Sequence, residues 1–77
     1  MANKPKYEYS VVIIQNDDSE IRLDKTFATK RAAVEQAETI EDHTTQSGWR
    51  IMKMFYHFDH NGKKTYDDEI VVAGKEY

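Results

Sequence analysis

The sequence predicts a small α+β domain of order β-β-α-β-β, in which an antiparallel sheet carries one helix on one face. The large apolar side chains concentrate in residues 6–14 and 47–58, and a helical pattern lies between these two segments. A chain of 77 residues forms one domain, and it buries only roughly 60% of the surface that its unfolded form exposes. We therefore expect residues 1–77 to form a single domain with a small core.

The first half of the chain predicts a hairpin. Residues 1–5 are polar, and Pro5 cannot donate to a strand ladder, so we expect a frayed arm there. Residues 7–15 are aromatic and β-branched with apolar groups on both faces, which is typical of a central strand. A polar turn at residues 16–20 leads into an alternating, half-buried strand at residues 21–27.

The middle of the chain predicts one helix. Thr29 is placed to cap its start, and Ala33, Ala37 and Ile40 recur at helical spacing on one side. The alanines predict close packing of this helix on the sheet. Gly48 is expected to end the helix as the left-handed residue after its C-cap.

The last part of the chain predicts a second hairpin. Residues 49–59 carry apolar groups on both faces, which indicates either the second central strand or a strand with one face used for binding. Trp49 is expected to anchor the core. Asn61-Gly62 predicts a type I′ turn. A strict two-residue turn would pair Asp67 and Asp68 with aromatic residues, so we expect a bulge or strand break near them.

Composition limits the classes of function. The net charge is −3 and there is no cysteine, which excludes disulfides, cysteine zinc sites and thiol nucleophiles. The chain has no signal-like apolar start and no run near the roughly 20 apolar residues of a membrane span. The lack of cysteines and of such apolar segments leads us to expect a cytoplasmic protein that does not bind membranes. Lysine and arginine occur in groups too small for a phosphate-binding face, so we also expect no direct binding of nucleic acid.

Two short segments resemble a known family. Residues 6–12 read Lys-Tyr-Glu-Tyr-Ser-Val-Val, and residues 48–51 read Gly-Trp-Arg-Ile. They resemble the Lys-Tyr-Glu-Tyr-Lys-Val-Val strand and the Gly-Trp-Glu-Leu-Val segment of a family of short, uncharacterised bacterial and phage proteins. This chain departs from the pattern at Ser10, at Arg50 and in the extra strand of residues 21–27. The resemblance implies a small α+β fold and a cytoplasmic or phage origin, and it transfers no active site.

Candidate chemical sites are weak. His57, Asp59 and His60 have the side-chain types of a metal site, but a strand would point His57 and Asp59 to one face while His60 enters the turn. The serines lie outside any nucleophile elbow, and the clustered carboxylates fall in exposed turns. We therefore expect no catalytic residue, no cofactor and no metal, with a metal-assisted hydrolase as a remaining alternative.

Binding surfaces are the better candidates. The acidic residues Glu35, Glu38 and Asp42 would form a stripe at intervals of roughly 5–6 Å, near the spacing of nucleic-acid phosphates. The alternative is a solvated helix face with Arg31 paired to Glu35.

One light helix also cannot cover both faces of the sheet, so we expect some aromatic side chains to stay accessible and the protein to form a homodimer. The candidate partner-binding residues are Glu35, Glu38, Asp42, Tyr56, Phe58, Tyr66, Asp67 and Asp68.

These features together predict a non-catalytic, macromolecule-binding protein. The concrete form is a small phage-type inhibitor or regulator of a host complex, such as a nucleic-acid-handling defence complex, that acts through acidic and aromatic surface. The alternative is a housekeeping dimeric module that binds a protein or a small ligand.

Overall fold

The computed structural model describes residues 6–77, and the predicted arm of residues 1–5 lies outside them. Its elements are β1 (Lys6–Gln15), β2 (Glu20–Phe27), α1 (Lys30–Thr39), β3 (Gln46–Phe58) and β4 (Lys64–Glu76). The four strands form one antiparallel sheet in the order β2-β1-β3-β4. The predicted α+β class, with one helix and an antiparallel sheet, is confirmed.

The core lies between α1 and the two central strands. β1 and β3 are central, as their apolar residues on both faces predict. Trp49 is buried, which agrees with its expected place in the core. The helix packs closely because its buried residues are alanines. The core cluster consists of Tyr9, Val11, Ile13, Ala33, Ala37, Trp49 and Ile51.

The helix begins as predicted but ends early. The Thr29 hydroxyl accepts a hydrogen bond from the backbone N–H of Ala32 at 3.2 Å, so Thr29 is the N-cap. The helix ends at Thr39, and Gly48 lies inside β3. The prediction that Gly48 ends the helix is therefore wrong. A Cβ at Gly48 would overlap the backbone carbonyl of Lys75, so this glycine permits close approach of β3 and β4.

The turn between β3 and β4 differs from the predicted type I′ turn. The N–H of Gly62 donates to the carbonyl of Asp59, and the N–H of Asp59 donates to the carbonyl of Lys63, both at 2.9 Å. Only Gly62 in this turn has a positive φ, at 78°. This is a type I turn followed by a left-handed residue. The Asp59 carboxylate favours it by accepting the N–H groups of Asn61 and Lys63.

β4 is irregular at two places. Its register against β3 shifts between Phe55 and Tyr56, where Asp67 is the extra residue, and again at Val72. The first shift is the bulge expected near Asp67 and Asp68. Bulges bend and twist an edge strand, which makes it a poorer template for further strand pairing.

The molecule is elongated. Its radius of gyration is 14.1 Å and its longest extent is 48 Å, whereas a compact chain of this length has a radius of gyration of about 11.5 Å. The ten-residue helix spans only about 15 Å, and the 13-residue β3 spans about 43 Å. The sheet therefore extends beyond the helix at residues 6–8, 55–58 and 64–68, which we call the distal end. Within residues 6–77, no helix has the length and apolar character that crossing a lipid bilayer requires.

Candidate functional site

The sheet face that points away from α1, here called the open face, is closed in its middle by polar side chains. One terminal nitrogen of Arg22 donates to Ser10 Oγ at 2.9 Å and lies 3.1 Å from Met54 Sδ. Its other terminal nitrogen pairs with Glu69 at 3.0 Å. Ser10, Val12 and Met54 are buried beneath this cover. Long polar side chains thus cover the sheet on this face, as α1 covers it on the other.

The distal end of the open face carries three aromatic rings, which we call the aromatic cluster: Tyr56, Phe58 and Tyr66. Tyr56 lies opposite Tyr66 in the register of β3 and β4. The ring of Tyr56 meets those of Phe58 and Tyr66 edge-on, with centroids 5.8 and 6.2 Å apart and planes at 83° and 74°. Phe58 and Tyr66 are each 50% exposed. The cluster is therefore ordered by ring contacts but open to solvent.

Two ammonium groups lie over these rings. Lys64 Nζ is 4.2 Å from the ring centroid of Tyr56 and 5.6 Å from that of Tyr66. Lys6 Nζ is 4.6 Å from the ring centroid of Phe58. Each distance is within the roughly 6 Å over which a cation is attracted to a ring face.

Glu8 provides the negative charge at the centre of this site. Lys64 Nζ donates to its two carboxylate oxygens at 3.1 and 3.0 Å, the Tyr66 hydroxyl donates to one, and the Thr26 hydroxyl to the other. The Glu8 side chain is 13% exposed. Its partial burial acts to raise the pKa, but the hydrogen bonds from Tyr66 and Lys64 outweigh it and hold the pKa below the ordinary value.

The same contacts act on the two main donors. The hydrogen bond to Glu8 raises the pKa of Lys64 and the pKa of Tyr66. Lys64 therefore stays an ammonium and Tyr66 a neutral phenol at physiological pH. The site is an ion pair framed by aromatic rings.

The helix-side face of the distal end is also aromatic. Lys53 Nζ lies 4.0 Å from the ring centroid of Tyr7 and 5.3 Å from that of Phe55, and these two rings meet edge-on at 6.2 Å. His57 Nδ1 lies 2.8 Å from a carboxylate oxygen of Asp67, and both side chains are about half exposed. Beyond the helix, both faces of the sheet therefore present aromatic and charged groups.

The structure divides the predicted partner-binding residues into separate places. Glu35 and Glu38 lie on the exposed side of α1, and Arg31 pairs with Glu35 at 3.2 Å. Asp42 lies beyond the helix end, where its carboxylate accepts the N–H of Thr44 at 3.0 Å. The predicted three-residue acidic stripe on the helix is therefore wrong, because the helix stops before Asp42.

The distal candidates are closer together. Tyr56, Phe58 and Tyr66 form the aromatic cluster, while Asp67 is bound to His57 on the other face. The Asp68 carboxylate accepts the N–H of Glu69 at 2.9 Å. Tyr66, Asp67 and Asp68 also line one shallow depression together with Glu69.

The predicted metal ligands have other contacts. Asp59 binds the backbone of its own turn, and His57 contacts Asp67. Across residues 6–77, no three or more histidine, aspartate or glutamate side chains are placed to hold a metal ion together. The combination of His57, Asp59 and His60 is thus not assembled as a site.

Sequence reasoning missed Glu8 and Lys64 as members of the site. The available signal was Glu8 itself, because a charged residue in a central strand must find a partner when it is partly buried. The register Lys6↔Tyr56 and Phe58↔Lys64 places that partner on the same face. The sequence does not show this register, since the observed turn sets Phe58 opposite Lys64, one residue away from the pairing that the predicted type I′ turn would give.

A second polar cluster ties the end of β4 to the loop after α1. Glu41 pairs with Lys75 at 3.2 Å and with His43 at 3.3 Å, and the His43 ring stacks on Tyr77 at 4.0 Å. Partial burial acts to raise the pKa of Glu41, but hydrogen bonds from His43 and Lys75 hold the pKa below its ordinary value. These groups satisfy one another, which indicates a structural role.

Comparison of the chain with protein-family models, curated proteins and solved structures found no match. A shallow groove of 350 Å³ adjoins the distal end on the open face and is lined by residues of β1, β2 and β3 and by Tyr66.

Proposed function

We propose that the chain is a non-catalytic protein-binding module that contacts its partner through the distal end. The observation that supports this most is the aromatic surface that the helix leaves uncovered on both faces. Phe58 and Tyr66 are 50% exposed and Tyr7 is 43% exposed. Exposed aromatic side chains close to charged groups are the composition of partner-binding surfaces.

The finer form of the proposal is a small phage-type inhibitor or regulator of a host complex, such as a nucleic-acid-handling defence complex, acting in the host cytoplasm. It is supported by the net charge of −3 and by Asp67 and Asp68 beside the aromatic cluster. The exposed carboxylates of Glu35 and Glu38 offer a second acidic area on α1. Acidic surface of this kind favours a basic groove on the partner.

A small-ligand module is the second candidate. The groove beside the distal end, at 350 Å³, is at the lower limit of the roughly 300–1,000 Å³ of ligand pockets. Its shallow form favours the protein-binding proposal.

The test is affinity purification from the native host followed by mass spectrometry. The tagged wild type is compared with a distal variant, Phe58→Ser/Tyr66→Ser, and with a helix variant, Glu35→Lys/Glu38→Lys. Ile21→Ser is the matched control, because Ile21 is similarly exposed at 45% but lies on β2 away from the distal end. Circular dichroism confirms that each variant is folded.

The proposal expects the wild type and Ile21→Ser to retain the same partner and the distal variant to lose it. A distal variant that retains every protein bound by the wild type contradicts the proposal. If His57→Ala instead eliminates the biological activity of the protein while the distal variant retains that activity, the metal or catalytic alternative replaces the proposed function.

A further inference from the structure

We propose that Glu8 and the aromatic cluster form a binding site for a primary ammonium group, which Lys64 occupies until a lysine of a protein partner replaces it. This inference rests on the proposed function for the identity of the partner as a protein. The proposed ligand of the distal end is a primary ammonium, and it binds by replacing the ammonium of Lys64.

The site has the parts that an ammonium requires. Glu8 supplies a carboxylate that is largely enclosed by the protein, and two of its hydrogen bonds come from the ammonium of Lys64. Tyr56 and Tyr66 stand nearly perpendicular to each other and both lie within reach of that ammonium. Aromatic rings that face a cation are used to recognise quaternary ammonium ligands, and here the Glu8 carboxylate adds acceptors for N–H groups.

Lys64 contacts Glu8 across the intervening strand β3. Lys64 lies on β4 and Glu8 lies on β1, and β3 runs between these strands. The Lys64 and Glu8 side chains therefore together span two strand intervals, roughly 10 Å, and the Lys64 ammonium lies beside the ring of Tyr56. The Lys64 side chain loses rotamer freedom in this position, and leaving the site restores that freedom.

Lys64 can also leave without disturbing the fold. It is the first residue of β4, next to the turn, and its side chain is 36% exposed. The rings of Phe58 and Tyr66 are half exposed, so a ligand can approach from solvent. A lysine presented by a partner can thus exchange with Lys64 while Glu8 keeps a cationic neighbour throughout.

The contacts favour a primary ammonium over a quaternary one. Lys64 donates N–H groups to both carboxylate oxygens of Glu8. A quaternary ammonium keeps the attraction to the rings but has no N–H to donate. The ligand is therefore a lysine whose ammonium keeps N–H groups to donate, and not a trimethylated one.

The experiment titrates the isolated protein with n-butylammonium, which reproduces a lysine side chain, and with tetramethylammonium. Ring proton signals of Tyr56 and Tyr66 report binding by NMR. The proteins are the wild type, Lys64→Ala, Lys64→Ala/Glu8→Gln and the matched control Lys63→Ala, which removes an equal charge from the exposed neighbouring position.

Lys64→Ala should bind n-butylammonium at least about tenfold more tightly than the wild type, because the intramolecular competitor that occupies the site is gone. Lys63→Ala should match the wild type, and the added Glu8→Gln change should eliminate the gain. Tetramethylammonium should bind Lys64→Ala more weakly than n-butylammonium. In the wild type, the ring-shifted ε-methylene protons of Lys64 should move toward free-lysine values during the titration, which tests exchange without any substitution.

Equal n-butylammonium affinity in Lys64→Ala and the wild type, or affinity that Glu8→Gln leaves unchanged, overturns the site. Tighter binding of tetramethylammonium overturns the choice of a primary ammonium. The titration contains no partner protein, so it tests the ammonium site alone. If the titration shows no ammonium binding while the Phe58→Ser/Tyr66→Ser variant still loses its partner, the ammonium site is refuted and the proposed function stands.

Discussion

Arg22 and Glu69 lie on the two edge strands of the sheet, yet their side chains form an ion pair of 3.0 Å across the open face. Three strand intervals, roughly 14 Å, separate the edges. The pair passes over Ser10 and Met54, which are buried although α1 lies on the opposite face. The open face is thus covered near its middle by this ion pair, and accessible aromatic surface remains at the distal end.

The first prediction separates the two partners of this cover. Arg22→Ala should cost about 1–2 kcal/mol because it leaves the buried Ser10 hydroxyl without its donor. Glu69→Gln should cost less than about 0.5 kcal/mol, since the ion pair itself is nearly half exposed. Urea unfolding of the two variants measures both values. Equal costs would show that Arg22 acts only through its charge.

The second prediction concerns Trp49. Trp49→Ala should destabilise the fold by roughly 3–5 kcal/mol, because it removes a buried ring from the centre of the core. For a domain whose total stability is about 4–12 kcal/mol, this approaches complete unfolding. Tyr66→Ala, at a half-exposed ring, should cost about 1 kcal/mol or less. Chemical denaturation that gives Trp49→Ala a cost below about 1 kcal/mol would remove Trp49 from the core.

The third prediction concerns two glycines. Gly48→Ala should cost about 2 kcal/mol or more, because the new Cβ meets the backbone of β4 and backbone atoms cannot move aside. Gly62→Ala should cost only about 1 kcal/mol, since its positive φ is strained for alanine but the space around it is open. Thermal unfolding ranks the two. A milder effect at Gly48 would contradict the close approach of β3 and β4.

The fourth prediction is a pH dependence. The folded pKa of Glu8 lies below its ordinary value of 4.5. Its contribution to stability is therefore fully present above about pH 4.5 and is lost as the pH falls through the lower folded pKa. Glu8→Gln should be less stable than the wild type at pH 7 and should show a flatter decline of stability below pH 4.5. If the free energy of unfolding falls in parallel for the two proteins below pH 4.5, other carboxylates cause the pH dependence.

The fifth prediction concerns self-association, which the sequence favours. β4 is a 13-residue edge strand that exposes Ile70 and Val71, although its two bulges limit the length available for pairing. We expect light scattering at high micromolar concentration to detect a dimer that Val71→Lys dissociates. Ala28→Lys adds the same charge in an exposed loop and should leave the dimer intact. A monomeric wild type at that concentration contradicts the prediction.

Several features follow from local sequence. The apolar residues on both faces of β1 and β3 predicted their central positions, and Thr29 predicted the helix start. Gly48 was misleading, because its role is set by the distance to β4 and not by a helix end.

The candidate site depends on contacts between residues that are far apart in the sequence. The aromatic residues were visible in the sequence, but the meeting of Glu8 with Lys64 depends on strand order and on the turn that sets Phe58 opposite Lys64. Contacts between residues 56 positions apart arise from the register of three strands, which no local pattern encodes.

The extension of the sheet past the helix separates two tasks within one short chain. Residues that hold the fold together lie beneath α1, whereas the aromatic cluster lies beyond it. Under the proposed function, substitutions at the second group alter recognition with little loss of stability. Mutations near the hairpin would then change the binding preference while the framework beneath α1 stays the same.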